Sequence, residues 1–306
     1  MIDILTGFAV IALAIVVGWI AGRTGVLGPN ARPVLARLSF SVLSPFLLFS
    51  VLSTADVRAL FSALLPVSAI AAVSVMLVFS VVSILLLRRG VARTTIGALA
   101  SGYVNGNNIG IPIALYLLGD AAYSAPIVLL QLLLFAPIAL AVLGATVQGR
   151  TSVVGILRST VTNPIIIGSL LGVLVSVSGI ELPPIVQDPI RLIGQAAVPL
   201  MLIAYGLSLH GTRLLEPGTG LRDVVIAATL KLAAMPAIAW ALGAFAFGLE
   251  GRDLYAVTVL AALPTAQNVF NFAQRYETAE VVARDAVFVT TIGSVPVLLL
   301  VSVLLG

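Results

Sequence analysis

Two stretches decide how this chain folds, Asn105-Gly-Asn-Asn-Ile-Gly-Ile-Pro112 and Pro264-Thr-Ala-Gln-Asn-Val-Phe-Asn271, one inside an apolar span of each half. Lipid offers no hydrogen bonds, so uncharged amide clusters at membrane depth must face protein, water, an ion or a cargo molecule. A proline removes one helix N–H and disfavours helical geometry in its predecessor, while neighbouring Gly and Asn tolerate irregular backbone. Both spans are therefore expected to be interrupted. The half-helix ends would bring partial charges near mid-membrane, with the N-terminal ends favouring an anion.

Composition agrees with that depth. With 60% apolar and 9% charged residues over 306 positions, most of the chain belongs in lipid. Spans are expected near Ile4–Ala21, Pro33–Ser53, Leu60–Leu87, Thr95–Leu118, Tyr123–Val147, Asn163–Ile180, Ile190–Leu209, Val224–Phe247, Leu254–Gln274 and Val281–Leu305, ten in all. No basic residue precedes the first of them and no cleavage signature follows, so it reads as a retained span. Gly22, Gly25 and Gly28-Pro29, and later Pro183-Pro184, punctuate helix ends. An excess of 16 basic over 12 acidic residues does not suggest nucleic-acid binding, and a chain without Cys has no disulfide framework, thiolate metal site or Cys nucleophile.

The basic residues fall unevenly. One side carries Arg23, Arg32, Arg37, Arg88, Arg89, Arg93, Arg150, Arg158, Arg213, Arg222, Arg275 and Arg284; the other has Arg58, Arg191 and Arg252. Because Arg and Lys are retained on the cytoplasmic side, this asymmetry of 12 against 3 predicts both termini outside the inner (plasma) membrane of a bacterial-type cell. The remaining basic residue, Lys231, lies within the eighth span.

The halves also resemble each other. Gly18, Gly25, Pro29 and Pro45 are followed 154 positions later by Gly172, Gly179, Pro183 and Pro199. Asn108, Tyr116 and Pro137 are echoed about 160 positions on by Asn268, Tyr276 and Pro296, with the difference absorbed around Gly211–Gly220. Five spans per half, an odd number, make the second unit enter the membrane from the opposite side. The expectation is an all-α integral membrane protein: two inverted five-helix repeats, 1–147 and 163–306, joined by a short cytoplasmic linker, 148–162, with broken, crossing fourth and ninth helices.

Asn105, Gly110 and Pro112 have the Asn-x4-Gly-x-Pro spacing of the auxin efflux carrier family, and the chain resembles that family elsewhere too. Ala262-Leu263-Pro264 followed by Phe270, Phe272, Ala273 and Tyr276 looks like its ninth-span segment, and Asp285 to Pro296 like its last helix. Two departures stand out: Val269 replaces a second proline common in plant members, and only Gln148 to Thr162 joins the halves where many members have a long hydrophilic loop. The resemblance is therefore to the short bacterial members. It implies a fold like that of the sodium/bile-acid symporters, with scaffold and transport subdomains, elevator-type alternating access, and a small carboxylate cargo such as auxin or malonate.

Candidate cargo contacts are Asn105, Asn107, Asn108, Gly110, Pro112, Pro264, Gln267, Asn268 and Asn271, the alternative for the amides being that they glue helices together. Lys231 is costly in hydrocarbon; it would pair with a cargo carboxylate or stand in for a coupling cation, or else snorkel or cap the carbonyls of a broken helix. Gln131 and Gln195 suit interhelical hydrogen bonds, His210 a solvated or capping position, and Arg275, Tyr276, Glu277 and Glu280 a solvated loop rather than a gate. Gly102-x-x-x-Gly106-x-x-x-Gly110 suits close helix packing; no strand precedes it, so it is not a phosphate loop. Without a Walker sequence, a metal-ligand cluster or a second His, no enzyme, cofactor or metal centre is expected. The expected function is secondary transport of a small organic anion, against a passive channel or a sodium-coupled symporter, with the coupling ion open. A lipid-embedded scaffold face would suit a homodimer.

Overall fold

The computed structural model describes residues 2–28, 30–55, 63–147, 152, 154–155, 158, 161–210 and 220–306, all of them helical or connecting, with no β-strand among them. Most of the expected linker 148–162, and the connection 211–219, lie outside the described residues. In the first half the helices are α1 (Ile2–Thr24), α2 (Ala31–Leu38), α3 (Ser44–Leu52), α4 (Leu65–Val81), α5 (Val91–Gly102), α6 (Ile111–Leu117), α7 (Ala125–Leu130) and α8 (Ala136–Val147). In the second they are α9 (Pro164–Ser178), α10 (Pro184–Gln195), α11 (Ala197–Leu209), α12 (Leu221–Thr229), α13 (Met235–Ala241), α14 (Gly251–Ala262), α15 (Gln267–Arg275) and α16 (Glu280–Leu305).

Local chemistry accounts for many of these limits. The Asn163 side chain accepts from the Ile165 N–H at 2.9 Å and starts α9, whose end at Gly179 is left-handed with φ 68°. Gly25 takes the same conformation after α1, with φ 66°. Among the described residues six helical stretches are long and apolar enough to cross a membrane: Pro33–Leu52, Leu65–Leu86, Ala121–Val147, Pro184–Leu207, Leu221–Ala246 and Glu280–Leu305. These match the second, third, fifth, seventh, eighth and tenth expected spans. Ala12–Thr24 and Pro164–Ser178 are shorter apolar helices, at the first and sixth. The fourth and ninth are each two helices with a break between them: α5 and α6, α14 and α15.

The chain gathers into two compact units, each drawing on both halves of the sequence. The first comprises Met1–Phe61, Asn107–Leu129 and Ser159–Thr212. Within it α1 lies against α11 and α9 against α3, and glycines set how closely. A Cβ on Gly18 would run into the Ile203 carbonyl, one on Gly206 into the Ile15 carbonyl, and one on Gly168 into the Pro45 backbone. Small residues at such crossings let backbones approach when no water is available to drive helices together. Gly206→Ala should therefore lower the stability of this unit by about 1–3 kcal/mol, since the obstacle is backbone that no rotamer change can move. An unchanged melting temperature in detergent would refute that.

The second unit comprises Ser62–Gly106, Leu130–Arg158 and Arg213–Gly306. Here α4 packs on α5, and α14 on α13 and α16, around buried Val67, Ala71, Val75, Ile96, Val257 and Leu260. One pattern occurs twice, 160 positions apart. A π-helical turn at Val82–Leu86 recurs at Leu242–Ala246. The bond from the Arg89 N–H to the Ser83 carbonyl, 2.9 Å, recurs from Leu249 to Gly243 at 2.8 Å. Left-handed Arg88, φ 54°, corresponds to Gly248, φ 61°, and α5 at 91–102 to α14 at 251–262.

Candidate functional site

Both helix breaks fall inside the second unit, and there they join. Tyr103, Val104 and Asn105 leave α5 in extended geometry, and Leu263 to Ala266 do the same after α14. Val104 and Thr265 form an antiparallel bridge in which the Asn105 N–H donates to the Pro264 carbonyl at 2.8 Å and the Ala266 N–H to the Tyr103 carbonyl at 2.9 Å. Backbone groups freed from a helix at membrane depth need partners, and each break supplies the other's. The first break is not made by its proline, contrary to the reading of Asn105–Pro112. Pro112 sits in the first turn of α6, where its missing N–H costs nothing, and the chain has already left α5 at Tyr103. Pro264 does lie within the second break.

The carbonyl ends of the two interrupted helices are covered. The Thr265 hydroxyl donates to the Ala100 carbonyl of α5 at 2.6 Å, while the Thr265 N–H donates to the Thr290 hydroxyl at 3.0 Å. Lys231 is fully buried, in a π-helical turn at Leu230–Ala234, and its Nζ donates to the Ala261 carbonyl of α14 at 2.6 Å, with the Met235 sulfur at 3.1 Å. Of the alternatives for this lysine, capping a broken helix is the contact observed. A donor there satisfies a carbonyl that the end of a helix leaves without a partner. The amide end has no side-chain cap: α15 starts at Gln267 with no acidic residue in its first turn, and the Val269 N–H turns back to the Ala266 carbonyl at 3.1 Å.

The sequence-derived candidates are distributed unequally. Asn105 is buried at 3% exposure, Pro264 is buried, and Gln267 and Asn268 are half-buried at the start of α15. Asn268 lies beside the Tyr103 side chain. Asn271 is exposed. Asn107, Asn108, Gly110 and Pro112 belong to the first unit, where the Asn107 amide donates to the Asn108 side-chain oxygen at 3.1 Å and Gly110 and Pro112 are buried. Gln131 is buried, Gln195 exposed, and exposed His210 meets Trp19 edge-on with ring centroids 6.3 Å apart. Tyr276 is buried and donates to the Leu140 carbonyl at 3.3 Å, so it packs rather than lying in a solvated loop; Arg275, Glu277 and Glu280 are exposed.

Several residues escaped the sequence reading. Thr265 stands 160 positions after Asn105, a correspondence that flags it; Tyr103 carries no such signal. At another corner of the second unit, Asp223 in the first turn of α12 is 1% exposed and accepts from Arg89 at 3.0 and 3.3 Å and from Arg93 at 2.8 Å. Both arginines fall between the third and fourth expected spans. Asp285 on α16 is likewise buried, paired with Arg284 at 2.8 Å.

Among the described residues, an apolar helical body with two mutually bonded helix breaks, and with buried polar groups gathered at them, defines a multi-pass membrane protein. The family model for membrane transport proteins matches the chain twice, over residues 3–150 and 150–302. The chain belongs to this family, that of the auxin efflux carriers. It is 33% identical over 128 residues to a protein of Oryza sativa subsp. japonica named auxin efflux carrier component 5b, covering 42% of this chain and 34% of the relative. A Rhizobium meliloti (strain 1021) protein that carries the name of a malonate transporter is 29% identical over 226 residues, 72% of this chain and 69% of that one. Auxin efflux carrier component 7 of Arabidopsis thaliana is 26% identical over 169 residues, 53% of this chain and 26% of the relative. The chain thus spans about a third or less of the length of these plant carriers.

Proposed function

We propose that this protein is a secondary carrier that moves a small organic anion, a carboxylate of the malonate or auxin type, by alternating access. The electrostatics of the paired breaks carry the reading: the carbonyl ends of α5 and α14 are capped from within the protein, by Thr265 and Lys231, whereas the amide end of α15 is uncapped. The balance left for a ligand is positive, which suits an anion. The names of the plant and rhizobial relatives, auxin carriers and a malonate transporter, supply two carboxylates to test.

The same proposal extends to architecture. Two matches to one family model, and helix bounds, π-turns and breaks repeated at one displacement, support ten spans arranged as inverted repeats 1–147 and 163–306 with crossing fourth and ninth helices. The two compact units serve as scaffold and transport bodies of an elevator, both termini face outward, and the scaffold's lipid-facing helices suit pairing with a second copy of the chain.

Purified protein in liposomes, screened with labelled malonate, auxin and other mono- and dicarboxylates under imposed sodium, proton and voltage gradients, should show saturable uptake and counterflow. Transport of neutral solutes with none of the anions would reject the reading. High conductance without saturation would favour a passive anion channel instead.

A further inference from the structure

Tyr103 is the first residue of the first break and one of the largest fully buried side chains, at 2% exposure. Its position is held at both ends. The ring meets Phe272 edge-on, centroids 6.3 Å apart at 82°, and Phe135 at 6.4 Å and 58°, while its carbonyl accepts the Ala266 N–H. The hydroxyl faces the Asn268 side chain but completes no hydrogen bond of ordinary geometry, to Asn268 or to any other group. Other buried tyrosines of this unit find partners: Tyr255 bonds Ser302 at 2.7 Å, and Tyr276 bonds the Leu140 carbonyl. A buried donor without an acceptor is costly, so a fixed one persists where something else supplies the acceptor.

We infer that the Tyr103 hydroxyl is a direct cargo contact, forming with Asn268 and the first-turn amides of α15 a clamp for one carboxylate of the transported anion. The chemistry is consistent at each point. A phenol at neutral pH donates without bringing a counter-charge, and α15 starts with no side-chain cap and no acid in its first turn, only its Val269 N–H turning back to the Ala266 carbonyl at 3.1 Å. A carboxylate, with two oxygens and about four acceptor sites, takes the phenol, the amide of Asn268 and backbone N–H groups together. Tyr103 is then a specificity residue that favours an ionised carboxylate over its amide or ester. The inference rests on the carrier reading above.

Tyr103→Phe keeps the ring between Phe135 and Phe272 and removes only the hydroxyl. With malonate and auxin as ligands, the variant in detergent should melt at the same or a higher temperature than the unsubstituted protein when no ligand is present, because a buried unsatisfied donor has been deleted. Its ligand-induced rise in melting temperature should shrink. In liposomes its KM should increase about tenfold with maximal rate retained, the size expected for losing one hydrogen bond to a charged group. A lower ligand-free melting temperature with unchanged KM would make the hydroxyl structural and overturn the inference. Equal responses of variant and unsubstituted protein overturn it alone; unsubstituted protein that neither binds nor moves either carboxylate overturns the carrier reading and this inference together.

Discussion

Lys231→Met is expected to reduce carboxylate uptake by tenfold or more while changing the melting temperature little. Methionine is unbranched like lysine, one atom shorter, and needs no solvation, so relief from burying an ammonium offsets what is lost. That loss is the hydrogen bond to the Ala261 carbonyl, about 1.5–3 kcal/mol for a charged donor, together with the favourable placement of a cation at a helix C-terminus. Stability therefore nearly balances. The electrostatics do not, because the carbonyl end of α14 becomes an uncompensated partial negative charge at the paired breaks, which the proposed anionic cargo would have to approach. A penalty of about 1.4 kcal/mol is already a factor of ten in affinity. Arginine should restore little, since its broad planar fork does not fit a site shaped around one Nζ between a carbonyl and a thioether. Initial rates over a range of malonate concentrations decide the matter: full rate and unchanged affinity in Lys231→Met would make the lysine only a structural cap.

Asp223→Ala should show the opposite division, a large loss of stability. Among the described residues Asp223 is the one carboxylate paired with Arg89 and Arg93, and it ties the first turn of α12 to the corner that starts α5. Removing one partner of a buried ionic group typically costs about 3–5 kcal/mol, because the remaining charges stay poorly solvated. The two arginine side chains are 32% exposed and keep some access to water, which lowers the expectation to about 2–3 kcal/mol. In a chain of this size that corresponds to a fall of roughly 5–10 °C in melting temperature. Asp223→Asn, which keeps one acceptor oxygen and the shape, should lose about half as much. Gly220 gives no room for compensation: with φ 116°, and with the Arg93 guanidinium where its Cβ would stand, it holds the approach to α12 in one conformation. An Asp223→Ala protein with unaltered melting would mean that the arginines find other partners.

How much of this was legible beforehand follows the reach of each signal. Long apolar runs announce helices locally, so six of the expected spans are helices long enough to cross a membrane. The two Asn-rich stretches announced interruption, and both helices are interrupted. Proline located the second break and misplaced the first, since a proline in the first turn of a helix reads the same in one dimension as a proline that ends one. Asn271 satisfied the amide pattern and is exposed, because pattern does not specify which side of a short helix turns inward. Asp223 carries no distinguishing signal in one dimension, whereas Lys231 stands out as a charge within a span. One gathers two arginines from 130 and 134 positions away, the other a backbone carbonyl 30 positions on.

The amino-acid sequence by itself determined the medium, the helical class and the presence of a weak point in one span of each half, because hydropathy, chain reach and the geometry of Gly and Pro act over neighbouring residues. Only the tertiary structure decided what those weak points do to each other. Val104 and Thr265 become partners because two unsatisfied backbone segments in an apolar body have nowhere else to bond, and that pairing brings Thr265 to the carbonyl end of α5 and Tyr103 to Asn268. Such contacts depend on which ends meet in space, and spacing along the chain does not specify that.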